Sequence, residues 1–400
     1  MDVMIEKKLV PKLRFKQYND NWNTLTLEKL SIINMGQSPE SKSYNQLGEG
    51  MLLVQGNADI KNRLTNPRQW TSEPTKKCQI GDLILTVRAP VGAIAKSVHN
   101  ACIGRGVCSI SNNSKSDIEY LYQTLVNYEK KWIRLEQGST FTAVSGKDIR
   151  GIKLNIPSLP EQQKIASFLS AVDEKLQQLT KKKDLLEEYK KGVMQKVFSQ
   201  ELRFKDDNGN NYPDWEEKKL GEVLKYYDGT HQTPKYVEKG VPFYSVEHLT
   251  ANQFTKTKFI SEAVFEKENR RVKLEKGDIL MTRIGDIGTS RLIDWDVNAS
   301  FYVSLALLKQ NLSFDSAYLQ QYISSVNFQK ELWSRTIHVA FPKKINLGEI
   351  GKCKALFPDL EQQQKIANFL TSLDSKIESV STQIENTKAF KKGLLQQMFV

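Results

Sequence analysis

The chain repeats a long segment of itself. Residues 157–199 align without a gap onto residues 358–400, 201 positions further on, and 16 of the 43 pairs are identical. Unrelated segments of ordinary composition match at roughly one position in fifteen. Leu159, Gln162, Gln163, Lys164, Ile165, Ala166, Phe168 and Leu169 return as Leu360, Gln363, Gln364, Lys365, Ile366, Ala367, Phe369 and Leu370. Further on, Asp173, Lys190, Lys191, Gly192, Gln195 and Phe198 return as Asp374, Lys391, Lys392, Gly393, Gln396 and Phe399. A chain of 400 residues built this way folds as two similar halves.

The repeated segment reads as a helix that pairs with another. Apolar residues at Ile165, Leu169, Val172, Leu176, Leu179, Leu186, Val193 and Val197 advance in alternating steps of four and three, interrupted by Lys183 and Lys190. The second copy runs Ile366, Leu370, Leu373, Ile377, Val380, Ile384, Leu394 and Met398, interrupted at Thr387 and Lys391. A period of 3.5 is the coiled-coil signature, and at 1.5 Å per residue each helix extends about 50 Å. One helix follows each globular half, so the economical pairing is antiparallel and intramolecular, with pseudo-twofold symmetry. Separate helices that mediate homodimerisation are the alternative. The lysines in the stripe suggest a seam left partly open for another subunit's helices.

The repeat extends into the globular halves. Leu13-Arg14-Phe15-Lys16 returns as Leu202-Arg203-Phe204-Lys205, and Gly81-Asp82 with its apolar strand 83–86 returns as Gly277-Asp278 with 279–282. Asp117, Tyr120 and Leu121 return as Asp315, Tyr318 and Leu319, an amphipathic helix with an aspartate N-cap. Arg88 and Arg283 follow equivalent strands one position out of register, so they need not point the same way. The expected organisation is α+β. Two similar mixed α/β domains span 1–157 and 201–357, and long helices span 158–200 and 358–400.

Composition limits the functional classes. No apolar run approaches the roughly 18 residues of a membrane span, and residues 1–10 are too charged for a signal peptide. A cytoplasmic chain is expected, with Cys78, Cys102, Cys108 and Cys353 reduced and packed. The net charge of +12 favours a polyanion partner or a solvated basic surface, and residues 1–157 alone carry +8, from 22 basic against 14 acidic side chains. Catalytic patterns are missing. Pro213-Asp214 and Glu216-x-Lys218 lie in one short segment, whereas a nuclease draws its metal carboxylates from separate strands. Gly146-Lys147 is followed by Asp148 where a phosphate loop requires Ser or Thr. The four histidines are too scattered for a metal site, so neither a catalytic residue nor a metal is expected.

A globular half followed by Pro-x-Leu-x-x-Gln-Gln-Lys-Ile-Ala-x-Phe-Leu, then both repeated, resembles the specificity subunits of type I restriction-modification systems. Gly-Asp-Leu-Ile-Leu-Thr-Val-Arg-Ala-Pro-Val-Gly at 81–92 and Cys-Ile-Gly-Arg-Gly at 102–106 are similar to that family's target recognition domains. The resemblance implies a noncatalytic subunit whose two domains each read half of an asymmetric bipartite target in double-stranded DNA. It implies helices that set the gap and dock two methyltransferase subunits, so that adenine is methylated or unmodified DNA is restricted. Restriction and translocase subunits then join, and no membrane is involved. No cofactor is expected in this chain; S-adenosylmethionine, ATP and magnesium belong to the partners. A scaffold that pairs proteins without touching DNA, and a nuclease with an unrecognised metal site, are the competing readings.

Arginine matches guanine O6 and N7 in the major groove, which makes Arg88 and Arg283 the first candidates; an internal salt bridge is their alternative role. Arg105, between two glycines, fits a phosphate contact or a plain turn, and Lys61, Arg63 and Arg68 form a local basic cluster. Polar loop candidates are Thr230, His231, Gln232, Thr233 and Lys235, at the place that Gly36-Gln37-Ser38-Pro39 holds in the first half. Thr140, Thr142, Ser145 and Lys147, with His338, Lys343 and Lys344, precede the long helices. For subunit docking, the resemblance points to Gln162, Gln163, Phe168, Leu169, Lys183, Lys190, Gln363, Gln364, Phe369, Leu370 and Lys391.

Overall fold

The computed structural model describes residues 9–138 and 143–400, and the side chains of all of these except 133–138. Two compact units emerge, and they do not follow the halves of the sequence. One comprises the chain up to Thr180 together with Thr382–Val400; the other is Lys181–Ser381. Each unit therefore contains the start of one long helix and the end of the other.

Both units are mixed α/β structures on one plan. In the first, a sheet runs in the order Ser31–Met35, Val107–Asn112, Leu83–Thr86, Ile94–Lys96, Leu64–Thr65, Ile60–Lys61. A second sheet runs Tyr44–Asn45, Gln69–Thr71, Met51–Val54, Ala101–Ile103, Lys77–Cys78. The second unit keeps the first four strands of each order, as Tyr226–Asp228, Leu305–Leu308, Ile279–Thr282, Ser290–Leu292 and as Tyr236–Val237, Lys258–Ile260, Val241–Tyr244, Ser300–Phe301. Leu83–Thr86 and Ile279–Thr282 are wholly buried, which explains their unbroken apolar sequence. The helix beside each sheet has its expected cap: Asp117 Oδ1 accepts from the Tyr120 amide at 2.9 Å, and Asp315 Oδ1 from that of Tyr318 at 2.7 Å.

The long helices, Leu159–Phe198 and Leu360–Gln397, have 40 and 38 residues, or about 60 Å each. Within each unit the start of one lies against the end of the other, so they run antiparallel. Ile165, Ala166 and Leu169 share the first core with Leu394, Leu395 and Met398. Val197 and Phe198 share the second with Ile366, Ala367, Leu370 and Leu373. Phe198 makes edge contacts with Trp215, Tyr318 and Tyr322, all residues of the other half of the sequence.

The polar identities of the repeat turn out to join these parts. Gln162 Oε1 accepts from the Asp117 amide at 3.0 Å while its Nε2 donates to the Pro157 carbonyl at 3.0 Å. Gln363 does the same with Asp315 and Pro358, both at 2.8 Å. Lys391 Nζ reaches Asp173 Oδ1 at 2.6 Å, and Lys190 Nζ reaches Asp374 Oδ1 at 2.6 Å, so the same clasp appears twice. Each aspartate also accepts from the domain helix, Asp173 from Gln123 Nε2 at 2.8 Å and Asp374 from Gln321 Nε2 at 2.7 Å. Lysines expected to leave the seam open instead close it. Lys183 turns along its own helix to Glu187 at 3.6 Å.

All four cysteines are free and buried, and burial pushes the thiols of Cys108 and Cys353 up to about 12. Among the described residues no helix is long and apolar enough to cross a membrane.

Replacing a buried Phe with Ala costs about 3–5 kcal/mol. Phe198→Ala should therefore destabilise the unit made mostly of the second half, read as faster amide exchange around Tyr318 and Tyr322. Exchange that quickened only in residues 9–138 would contradict this assembly.

Candidate nucleic-acid interface

In each unit backbone hydrogen bonds tie several of the loops singled out in the sequence to one another. In the first unit Gly36 and Gln37 donate to Val107 and Ile103 at 3.0 and 2.9 Å, Val87 donates to Gly106 at 2.9 Å, and Val144 donates to Val87 at 2.9 Å. In the second, Thr230 donates to Phe301 at 3.0 Å, Arg283 to Ser304 at 2.9 Å and Ile345 to Arg283 at 3.0 Å. Glycine is required where these loops cross. A Cβ on Gly36 would lie 2.1 Å from the Gly104 carbonyl oxygen, and one on Gly229 would lie 2.1 Å from that of Phe301.

These bonds fix the register of the two arginines. Val87, not Arg88, makes the backbone contacts that Arg283 makes, and Arg88 and Ile284 occupy the equivalent bridges to Ala143 and Lys344. One step of offset turns the side chains to opposite faces. Arg88 is exposed, with no ion-pair partner among the described residues. Arg283 is buried; its Nη1 donates to the Val303 carbonyl at 2.8 Å, its Nε to that of Ile345 at 3.3 Å, and Asp228 lies 3.9 Å away. Burial lowers the Arg283 pKa from its usual value, against the opposing charge of Asp228. Arg283 thus braces its loops from inside, whereas Arg88 is exposed.

The basic cluster of the first unit divides. Arg63 forms a paired bond with Glu129, at 2.5 and 2.9 Å, and that hydrogen bond raises its pKa. Lys61 is exposed on a short edge strand. Arg68, 3.4 Å from Asp59, borders a cleft of about 720 Å³ with Gln46, Gln55, Asn57 and Gln69, and Ala89 and Pro90 of the Arg88 loop form its other wall. Those four amides were missed in the sequence because they come from two loops and the strand Gln69–Thr71. Arg105 is exposed, but the space beside Gly106 is filled by the Gln55 carbonyl oxygen, 2.1 Å from a Cβ there, so the glycines serve the crossing of loops. Ser145 is taken up as a helix cap, its Oγ 2.5 Å from Asp148 Oδ2, while Lys147 is exposed. Thr140 and Thr142 lie outside the described residues.

In the second unit Thr230 is buried and donates to Glu268 Oε2 at 2.9 Å, which removes it from the surface. His231, Gln232, Thr233 and Lys235 remain exposed. His231 Nε2 lies 2.9 Å from Asp228 Oδ2, and the Thr233 hydroxyl 3.1 Å from that of Tyr302. The His338 ring lies 4.2 Å from that of Trp333, tilted by 50°, and Lys343 Nζ lies 4.9 Å over the same tryptophan ring. Lys344 is exposed, with its backbone bridged to Ile284 and Ile337. Burial alone would raise the Asp228 carboxyl, but the hydrogen bond and charge of Arg271, with His231, hold it below the usual carboxylate range.

The helix positions separate as well. Gln162, Leu169, Gln363 and Leu370 are buried, and Lys190 and Lys391 are clasped to aspartates, so none of these six offers a docking surface. Gln163 and Gln364 are exposed; Phe168 and Phe369 are partly exposed against Phe15 and Phe204.

A family model of the type I restriction modification DNA specificity domain matches residues 19–188 and again 212–388. The chain belongs to this family and carries its domain twice. It is 36% identical over 205 residues to the putative type I restriction enzyme MjaX specificity subunit of Methanocaldococcus jannaschii, covering 50% of this chain and 48% of that one. It is 25% identical over 285 residues to the MjaIX specificity subunit of the same organism, covering 65% of each. The chain thus spans about half the length of the first relative and under two thirds of the second. The EcoBI specificity subunit of Escherichia coli is 20% identical over 404 residues, covering 95% of this chain and 85% of the relative. In fold, the chain is similar to the crystal structure of the type I restriction-modification S subunit of M. genitalium, with a TM-score of 0.67, 18% identity and coverage of 98% and 99%.

Two substitutions distinguish bracing from reading. Arg283→Ala should lower stability by about 1–3 kcal/mol through its lost buried bonds, whereas Arg88→Ala should stay within about 0.5 kcal/mol in the same thermal unfolding assay. Asp228, with its folded pKa depressed, stabilises above the unfolded value of about 4, and that contribution is lost as pH falls through the folded value. Acid unfolding should therefore be steeper in the native chain than in Asp228→Asn; coincident curves would contradict the assignment.

Proposed function

We propose that the chain is the noncatalytic DNA-recognition subunit of a type I restriction-modification complex, with each unit reading one half of an asymmetric bipartite target. The observation that carries this reading is one scaffold with unlike side chains at matching loop positions. Arg88 stands where the other unit has Ile284, Arg105 where it has Val303, and Gln37 where it has Thr230. A common frame with different letters suits two related but different half-sites. Arg88, Arg105 and Arg68 are the proposed contacts of the first unit; His231, Gln232, Thr233, Lys235, His338, Lys343 and Lys344 are those of the second.

The same comparison of copies supports two docking sites for one partner. Gln163, Lys191 and Gln195 are exposed and return as exposed Gln364, Lys392 and Gln396. Exposed residues kept in both copies serve no internal packing, while the loops around them differ. We assign these two surfaces to two methyltransferase subunits and place the adenine chemistry and its S-adenosylmethionine there. ATP and magnesium act in restriction and translocase subunits, and the complex works in the cytoplasm. The long helices, continuous from one unit to the other, set the gap between the half-sites.

Binding to duplex DNA should weaken steeply as salt rises from about 50 to 200 mM, and a flat response would favour a scaffold that does not touch DNA. Arg88→Ala should relax one word of the methylated motif by about 1–3 kcal/mol and leave the other intact; equal loss in both words would show that the units do not read independently. Lys191→Glu should reduce the methyltransferase content of the purified complex from two to one, and the pair with Lys392→Glu should remove both.

A further inference from the structure

The second unit carries an apolar projection that its own packing does not explain. Val339 and Phe341 stand 96% and 104% exposed, and Phe341 is the most exposed aromatic among the described residues. The neck of the loop is fixed: Ile337 donates to the Lys344 carbonyl at 2.8 Å, and Gly285 donates to that of Lys343 at 2.8 Å. At its base lies Trp333, 59% exposed, with its ring 4.2 Å from that of His338 and Lys343 Nζ above it. The tip is thus held out from a braced stem, beside the Arg283 loop.

The surroundings select an occupant. Lys343 and Lys344 are exposed on the same loop, and a site that offers both cations and a bare aromatic matches a ligand with an anionic outside and a flat apolar inside. Stacked base pairs between phosphate backbones have that chemistry. We infer that Phe341, backed by Val339, inserts as a wedge at a base step of the half-site read by the second unit, while Lys343 and Lys344 hold the flanking phosphates. The inference rests on the DNA-reading function proposed above and adds a shape-reading element to it, because pyrimidine–purine steps open more readily than others.

The test uses the full chain with its methyltransferase partners and a duplex carrying the methylated motif, with 2-aminopurine placed in turn at each position of the second half-site. The native complex should raise fluorescence at one step. Phe341→Ala should abolish that rise and weaken binding about tenfold with an unchanged salt slope, and Phe341→Trp should restore both. Lys343→Ala and Lys344→Ala should each reduce the salt slope by about one while keeping the fluorescence. Phe341 is fully exposed, so these variants should fold, as circular dichroism would show. If the lysine variants behave as expected but Phe341→Ala matches the native complex, the wedge is wrong and DNA reading stands. If Phe341→Ala loses methyltransferase subunits instead, the tip is a protein contact and the inference fails. Absence of duplex binding by the native complex would overturn both.

Discussion

Everything in this molecule depends on each unit being finished by a helix end from the other half of the chain. Leu394, Leu395 and Met398 lie in the core with Trp22 and Tyr120, and Val197 and Phe198 lie in the core with Tyr318 and Tyr322. Apolar burial supplies the driving force, and it has no direction of its own. Direction comes from the clasps, in which a lysine from one helix and a glutamine from the domain helix meet on a single aspartate, at Asp173 and again at Asp374. A one-residue slip along the seam would leave both partly buried lysines without their acids, so the pairing is set in register as well as held together.

That arrangement explains which parts of the repeat stayed alike. The backbone amides of Asp117 and Asp315 donate to Gln162 and Gln363, which ties the start of the domain helix to the long helix in both units, and loss of either glutamine would leave a partly buried amide without its acceptor. The crossing loops bear no such load. Once Gly36 and Gly229 allow the backbones to cross, their neighbours can differ between units without disturbing the core. Divergence of the loops and identity of the joints are two consequences of one construction, and they suit the two half-sites and two partner subunits proposed above.

Much of this was legible in the sequence, for identifiable reasons. The stripe from Ile165 to Val197, the aspartate caps and the buried strands at 83–86 and 279–282 are local or periodic signals. The offset of Arg88 against Arg283 meant that the two need not point the same way, and the structure shows that Arg283 is the one turned inward. What remained hidden was non-local. Lys190 reads as a defect in an apolar stripe until Asp374 is known to stand beside it. Gln162 and Gln363 read as surface residues because glutamine is seldom buried, and the amides around Arg68 share a cleft only once separate loops have been brought together. The Phe341 tip was overlooked because an isolated Phe in a sequence is ordinarily a core residue.

The central proposal is that the long helices, running on from one unit into the other, set the gap between two half-sites, each read by one unit. It is tested most directly by adding one heptad to both helices at the matching boundaries after Thr180 and Ser381, then sequencing adenine methylation in cells that carry the altered chain with its partners. Seven residues preserve the stripe and add about 10 Å. The account expects both words of the methylated motif to stay the same while the gap between them lengthens by about three base pairs, at roughly 3.4 Å each. An unchanged gap, or a change in either word, would contradict it.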